Sequence, residues 1–447
     1  MINAISKNLL SFIKNSPSCF HVVASIKKIL KREGFVELKD HQDFELSNGG
    51  KYYITKNDSS IIAFKIGEQL DSYSFNMVAS HSDSPSFKLK PVADLLTPDY
   101  VKLNVEAYGG MLCSTWFDRP LSLAGRVLVS NGNKIESKLV NFDKNILSIP
   151  SVAIHFNRNA NDNATYSLAV DMFPTLSQDK MSFKAYLAQE NNLDEKDIMS
   201  YDLFLYNRQE GYFWGKDDEF ISSCKLDDLQ CAYTTLMGFI KSSNAHNVSV
   251  YCCFDNEEVG STTRQGANST FLNDTLKRIS LALNKNEEEH YQALAKSFMV
   301  SADNAHAVHP NHPELTDPLN KVSINKGIVI KHNAAQSYTT DSISCAIFKK
   351  LCENAEVPVQ LFTNKSGIRG GGTLGNISAS HVSVCSVDIG LPQLAMHSCN
   401  ETAGTLDNEY MLDTSKIIHR ELTMEEAAEE FMNPQLSRFG KLLVKID

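Results

Sequence analysis

Apolar residues recur along this chain at two different periods, and the points where one period gives way to the other carry most of the information. Ile5, Leu9, Leu10, Phe12 and Ile13 fall at helical spacing. Ser16-Pro17-Ser18 interrupts them. A second helical stretch from Phe20 to Arg32 places Val22, Val23, Ile26, Ile29 and Leu30 on one face, with Gly34 positioned to cap its end. Three strand-like runs follow: Lys51 to Thr55, Ser60 to Ile66 and Ser74 to Ser80. The last runs into His81-Ser82-Asp83-Ser84-Pro85. From Pro91 to Tyr206 the texture changes to short alternating runs, such as Val101 to Ala107, Leu121 to Val129 and Lys138 to Asn141. Gly109-Gly110 and Asn131-Gly132-Asn133 separate them as turns.

After Asn207 helices and strands alternate again. Helices are expected over Asp228 to Lys241, Leu276 to Leu283, Glu287 to Ser297 and Asp341 to Asn354. Strands are expected at Val248 to Phe254, Phe298 to Ala302, Ile328 to Ile330, Val357 to Phe362 and Val382 to Val387. This alternation predicts an α/β protein with a mostly parallel, helix-covered sheet. Leu422 to Phe431 reads as an amphipathic closing helix. The expected organisation is a discontinuous α/β domain, residues 1–84 and 207–447, with a β-rich domain, residues 85–206, inserted into it.

Composition narrows the classes. At 447 residues two domains are the natural expectation. Hydrophobic residues make up 42% and charged residues 21%, ordinary for a globular protein. No apolar run has the length of a membrane span, and Met1 to Asn15 lacks the pattern of a secretory leader. A formal net charge of -10 argues against a nucleic-acid partner. Ten cysteines without a Cys-x-x-Cys pair, largely inside apolar stretches, suggest reduced thiols and a cytoplasmic protein.

The chemistry gathers at strand exits, where open α/β sheets carry their sites. Glu257 and Glu258 follow the Val248–Phe254 run, His81 follows Phe75–Ser80, Asp303 follows Phe298–Ala302, and His397 follows Leu394-Ala395-Met396. Asp227 opens the helix before the Val248 strand, where it could equally be a helix cap. Two histidines and four carboxylates offer only nitrogen and oxygen donors, a set that suits a pair of zinc-like divalent ions. Of the neighbouring glutamates, one can ligate while the other moves a proton; their spacing leaves open which does which. Asp83, two residues past His81, can take the second ring proton of a ligating histidine. His306, His309 and His312 resemble a metal cluster, but prolines follow the last two, and the segment is expected to shape the pocket instead. The glycine-dense Arg369 to Gly375 lacks a P-loop ending; Gly371 and Gly372 are expected to let backbone approach a substrate carbonyl. Ser261 and Cys253 lack the setting of an activated nucleophile.

Six blocks, in order and across nearly the whole chain, resemble the M18 metallo-aminopeptidases, the aspartyl aminopeptidase family. They are Ser80-His81-Ser82-Asp83-Ser84-Pro85, Trp116-Phe117-Asp118-Arg119, Leu226-Asp227-Asp228-Leu229, Phe254 to Ser261, Ser301 to Pro310 and Pro392 to Ser398. The resemblance implies one ion held by His81, Asp227 and Asp303 and a second held by Asp227, Glu258 and His397, with Asp227 bridging and Glu257 as general base. The metal would be zinc, with cobalt or manganese as alternatives. It implies that residues 85–206 form a dimerisation domain, that dimers build a dodecamer, and that His155 reaches a neighbour's active site. It places Lys331 near the substrate side chain. Peptides with acidic N-terminal residues are then the first choice of substrate, and neutral, leucine-like ones the second. Ser337 stands where many members have arginine, and Asp341 where many have asparagine; both make the pocket less cationic. Arg369-Gly370-Gly371 replaces Arg-Cys-Gly, and Asp228 replaces an asparagine. A two-metal deacylase or carboxypeptidase is the alternative enzyme, and a non-catalytic scaffold the remaining class, which an intact Glu257 disfavours.

Overall fold

The computed structural model describes residues 2–70, 73–368 and 370–421; the expected helix at Leu422 to Phe431 lies outside them. A nine-stranded sheet forms the frame. Its strands lie in the spatial order Val36–Glu37, Lys51–Lys56, Ser60–Ile66, Val248–Phe254, Phe75–His81, Phe298–Ala302, Cys385–Gly390, Ile328–His332 and Val359–Thr363. The central four, from Val248–Phe254 to Cys385–Gly390, run parallel. Antiparallel pairings flank them on both sides. Every residue of Val248–Phe254, Phe75–His81 and Phe298–Ala302 is buried. That is the expected signature of a parallel sheet covered on both faces.

The two-residue period of the strands sorts side chains between those faces. Ile61, Ala63, Tyr251 and Cys253 point into a core formed with the helices Ala4–Lys14, Cys19–Arg32 and Leu226–Lys241. Ile62, Phe64, Val250 and Cys252 point the other way, against the helix Phe271–Ala282 and Ala293 of the helix Glu287–Ala295. The Cys19–Arg32 helix stops where Gly34 takes φ +82°, a left-handed conformation that glycine adopts without a Cβ clash. The helices Ser342–Asn354 and Asp407–Glu421 close the far end around Phe348, Met411 and Ile418.

The β-rich stretch forms a separate antiparallel sheet of six strands, ordered Lys134–Asn141, Leu121–Asn131, Ile198–Asn207, Ser86–Leu96, Val101–Tyr108 and Thr175–Ser177. It has its own core, with Phe87, Leu103, Leu123, Val127 and Leu203 buried together. A third, five-stranded sheet joins Tyr212–Trp214, Phe220–Ser223, Glu401–Gly404, Pro392–Leu394 and Ala305–His306. Its strands have two to four residues each, too few for periodicity to show. Among the described residues no helix is long and apolar enough to cross a membrane, and all ten cysteines are free.

Phe239, fully buried on the Leu226–Lys241 helix, packs its ring against Phe35, Tyr251 and His419 and so joins three elements. Phe239→Ala is expected to lower unfolding stability by roughly 3–5 kcal/mol. A shift below about 1 kcal/mol in urea denaturation would contradict this packing role.

Candidate active site

The sheet register assembles the site. His81 pairs with Phe254 across neighbouring parallel strands, so the turn that follows Phe254 stands beside the histidine. Asn256, in the left-handed region at φ 63°, turns the chain into a single 3-10 turn, Glu257–Val259. Asn256 is fixed there by its side chain, which donates to the Tyr108 hydroxyl at 2.7 Å and accepts from Thr263 and Gln265 at 2.8 Å each.

Asp83 then locks the turn to the histidine strand. One carboxylate oxygen accepts the Glu257 N–H and the other the Glu258 N–H, each at 3.2 Å. Tyr108 donates its hydroxyl to the second oxygen at 2.8 Å. The His81 Nδ1 lies 3.1 Å from the Asp83 carbonyl and 3.4 Å from its carboxylate. Both neighbours are acceptors, so Nδ1 carries the proton. Nε2 faces inward, 3.5 Å from Asp227 and 3.9 Å from Asp303.

Asp227 does not cap its helix. The residue has non-helical dihedrals, and its side chain points into the cluster, with one oxygen toward His81 and the other 3.4 Å from His397 Nε2. His397 Nε2 is also 3.4 Å from Glu258. The His397 Nδ1 donates to the Gly110 carbonyl at 2.7 Å, which again leaves Nε2 aimed at the carboxylates. One buried residue, Glu401, aligns both arms: it accepts the Asp227 N–H at 3.0 Å and the His397 N–H at 2.7 Å.

Three groups of side chains bring potential metal-ligating atoms within 4.8 Å of one another: His81 with Asp227, Asp228 and Asp303; His81 with Glu257 and Glu258; and Asp227 with Glu258 and His397. So many carboxylates in so small a volume cannot all ionise unaided. Burial, reinforced by Asp303, Asp83 and Asp227, pushes Glu257 up to about 8. Burial and Asp227 push Glu258 well above the usual carboxylate range. Burial raises Asp228 in the same direction. The histidines respond in the opposite sense to burial: carboxylates outweigh it and hold His81 well above its ordinary value and His397 at about 9. At Asp227 burial is outweighed by His397 and His81, which keep its carboxyl well below the usual range. A divalent cation removes the repulsion that causes these shifts. The donor atoms fit one: His81 Nε2, Asp227 Oδ1 and Glu258 Oε1 are buried without a hydrogen-bond partner.

The cluster opens into a cavity of about 460 Å³, lined by Glu257, Glu258, Asp303, Lys331, Gly371 and Gly372 among others. Lys331 is buried 3.3 Å from Asp303 and 5.5 Å from the Tyr338 ring centre. Burial would lower its pKa, but Asp303 outweighs burial and keeps the amine charged. Asp388 ties down the opposite wall, accepting from Thr373 at 2.7 Å and from the Thr339 N–H at 2.5 Å. A Cβ at Gly371 would meet nothing within 4 Å, so the space beside it belongs to the cavity. Gly109 has the reverse constraint: a Cβ there would stand 3.0 Å from that of Glu258.

The structure thus gathers His81, Asp83, Asp227, Glu257, Glu258, Asp303, Lys331, Gly371, Gly372 and His397. His155 is elsewhere, exposed on a loop outside the cavity. Of the three histidines near Asp303, only His306 reaches the cavity wall; His309 and His312 pack together at the surface, 5.2 Å between rings. Arg369 lies outside the described residues.

The family pattern described as "Aminopeptidase I zinc metalloprotease (M18)" matches residues 12–416. This chain belongs to the M18 family. Among relatives of this M18 enzyme, a probable M18 family aminopeptidase 2 of Clostridium novyi (strain NT) is 46% identical over 421 residues, spanning 92% of this chain and 97% of that one. Among solved structures, that of the Ape4 and Nbr1 complex aligns with a TM-score of 0.89 at 33% identity, covering 93% of this chain and 85% of that chain. The S. cerevesiae mApe1 dodecamer aligns with a TM-score of 0.81 at 26% identity, covering 93% and 96%. The protein is a metallo-aminopeptidase, a peptide hydrolase.

Several residues of this M18 site had no signal in the sequence pattern. Glu401 is one, although it falls four residues after His397 at the start of a short strand. Tyr108, at the end of the strand Val101–Tyr108, and Gly110, in the turn after it, belong to the β-rich stretch. Asp228, noted as a departure from the family pattern, accepts the His81 N–H at 3.1 Å. Glu401→Ala leaves the Asp227 and His397 N–H groups without their acceptor. It is expected to weaken divalent-metal binding by on the order of 10–100-fold, measured by chelator competition on folded protein. Unchanged affinity would contradict the positioning role.

Proposed function

We propose that this M18 enzyme is a dinuclear aminopeptidase that releases single residues from peptide N-termini. The reading rests on one observation above the others: His81 Nε2, Asp227 Oδ1 and Glu258 Oε1 are buried without a hydrogen-bond partner, and Asp227 and Glu258 line one cavity together with Glu257. His81, Asp227 and Asp303 would hold one ion; Asp227, Glu258 and His397 would hold the other. Zinc fits the nitrogen and oxygen donors, and cobalt or manganese are the alternatives. When bound, the ions supply Lewis-acid polarisation of the scissile carbonyl and lower the pKa of a water. Glu257 would take a proton from a water on its carboxylate and deliver it to the leaving amine. Its neighbour suits ligation instead, because Glu258 faces His397 Nε2 across the same position as Asp227. Gly371 and Gly372 let the substrate backbone approach the wall.

Acidic N-terminal residues remain the first choice. Lys331 is a charged amine on the cavity wall, and Asp303 beside it would turn its charge to a metal ion. Asp341 does not offset that charge from within the cavity. Its carboxylate caps the helix Ser342–Asn354 by accepting the Ser344 N–H at 2.8 Å. Residues 85–206 form the dimerisation domain, and dimers build a dodecamer in the cytoplasm. His155 of the partner subunit completes the site. Val152, Ile154 and Phe156 around it are exposed at 61%, 44% and 88%, as expected of a loop that docks on another copy.

Glu257→Gln should retain metal and lose most turnover, whereas Glu258→Gln should lose metal. Equal metal loss in both, read by elemental analysis, would refute the division of labour. On Asp- and Leu-aminoacyl reporters, Lys331→Ala should cut kcat/KM for Asp by on the order of 10–100-fold more than for Leu, the size of a lost charged hydrogen bond. An equal loss on both would refute the acidic preference.

A further inference from the structure

Asp388 is fully buried on the strand Cys385–Gly390 and stands outside the ligand cluster. It does not line the catalytic cavity. Its carboxylate instead gathers donors from two segments that do. Oδ2 accepts the Thr339 N–H at 2.5 Å and the Thr339 hydroxyl at 2.9 Å. Oδ1 accepts the Thr373 hydroxyl at 2.7 Å. The Asp388 N–H donates to the Thr340 hydroxyl at 2.9 Å. Tyr338, next to Thr339, is on the cavity wall, and so are Thr373 and its neighbour Gly372. Thr373 stands at the N-cap of the helix Leu374–Ala379, yet its side chain makes no cap bond. A hydroxyl in that position ordinarily accepts from the helix N-terminus; this one is given to Asp388. The fit around the carboxylate is close. A Cβ on Gly375 would stand 2.7 and 2.8 Å from the two Asp388 oxygens.

Neither segment has regular structure to hold it. Residues 333–341 and 370–373 form no helix or strand, so side-chain tethers fix where they lie. A buried carboxylate is costly unless hydrogen bonds satisfy it, and the three accepted bonds meet that need. Without the carboxylate, the Thr339 N–H and two hydroxyls are left in the interior without their acceptor. Segments outside any ladder relieve this by shifting, and their open side is the cavity. The Tyr338 ring lies 5.5 Å from the Lys331 amine and 6.4 Å from the Phe362 ring, centre to centre. A shift of Tyr338 therefore reshapes the wall that these residues share. The ligand cluster has other supports: Asp83 holds the N–H groups of Glu257 and Glu258, and Glu401 those of Asp227 and His397.

We propose that Asp388 is a positioning residue for the substrate's N-terminal side chain, holding Tyr338 and the Gly372–Thr373 segment at the spacing that side chain requires. The proposal rests on the reading that the cavity takes the peptide's N-terminal residue, and it holds for an acidic or a neutral one. Asp388 acts through the wall and touches neither the reacting atoms nor the ligands, so its effect falls on binding and spares the chemical step.

The test compares Asp388→Ala, Asp388→Asn and the double variant T339V/T373V with the wild type, all metal-loaded. Each is assayed on the aminoacyl reporter that the wild type cleaves best and on a glycyl reporter. Asp388→Ala should raise KM for the preferred reporter by about 10–100-fold, the scale of a misplaced binding group. Its kcat and bound metal should stay within about threefold of wild type, and so should KM for the glycyl reporter, which has no side chain to seat. Asp388→Asn keeps an acceptor for the Thr339 N–H and offers Thr373 a donor that its hydroxyl can accept, so it should recover most of the loss. T339V/T373V leaves the carboxylate and removes both hydroxyls; its KM should fall between wild type and Asp388→Ala, and it carries the test if Asp388→Ala fails to fold. An equal KM rise on both reporters, a loss confined to kcat or to metal, Asp388→Asn no better than Asp388→Ala, or an unchanged KM in the double variant would each overturn the proposal alone. Wild-type protein that releases no N-terminal residue from any reporter would overturn the underlying reading and the proposal with it.

Discussion

Most of the site depends on the carboxylate of Asp83. It accepts the N–H groups of Glu257 and Glu258 and the Tyr108 hydroxyl, and it stands beside His81 Nδ1. Three parts of the chain, from the histidine strand, the glutamate turn and the β-rich sheet, therefore meet at one buried group. The parallel register of His81 with Phe254 makes this possible, because it brings the two strand exits side by side. A shift of one residue would turn alternate side chains to the wrong face and separate them.

The same crowding makes the site costly in isolation. Buried carboxylates that face one another must take up protons, as Glu257 does at about 8, or find a cation. The hydrogen bonds around the cluster leave the inward atoms free. His81 and His397 each spend Nδ1 on a backbone carbonyl, and Glu401 holds the Asp227 and His397 backbones. What remains unpartnered is a set of nitrogen and oxygen donors pointing at shared space. In this arrangement the ligand cluster is preorganised by neighbours that never touch the ion.

The strands that carry the site were legible because their apolar runs are unbroken. The bounds that the pattern predicts for Val248–Phe254 and Phe298–Ala302 are the observed ones. Residues that act through distant partners were not. Glu401 accepts from a backbone N–H 174 positions away, and nothing local marks it. Asp227 had the local pattern of a helix cap, and only tertiary packing turns it inward. Tyr108 and Gly110 were hidden for a related reason: a strand end and a turn of one sheet became walls of a site on another. Asp341 ran the other way. By residue type it weakened the case for a cationic pocket, and its position shows a helix cap.

The proposed mechanism requires two ions that share Asp227. Anomalous diffraction from crystals of the metal-loaded protein tests it most directly. The account predicts two peaks about 3.5–4 Å apart, one beside His81 and Asp303, the other beside Glu258 and His397, with Asp227 between them. A single peak, or two peaks with Asp227 bound to neither, would contradict it.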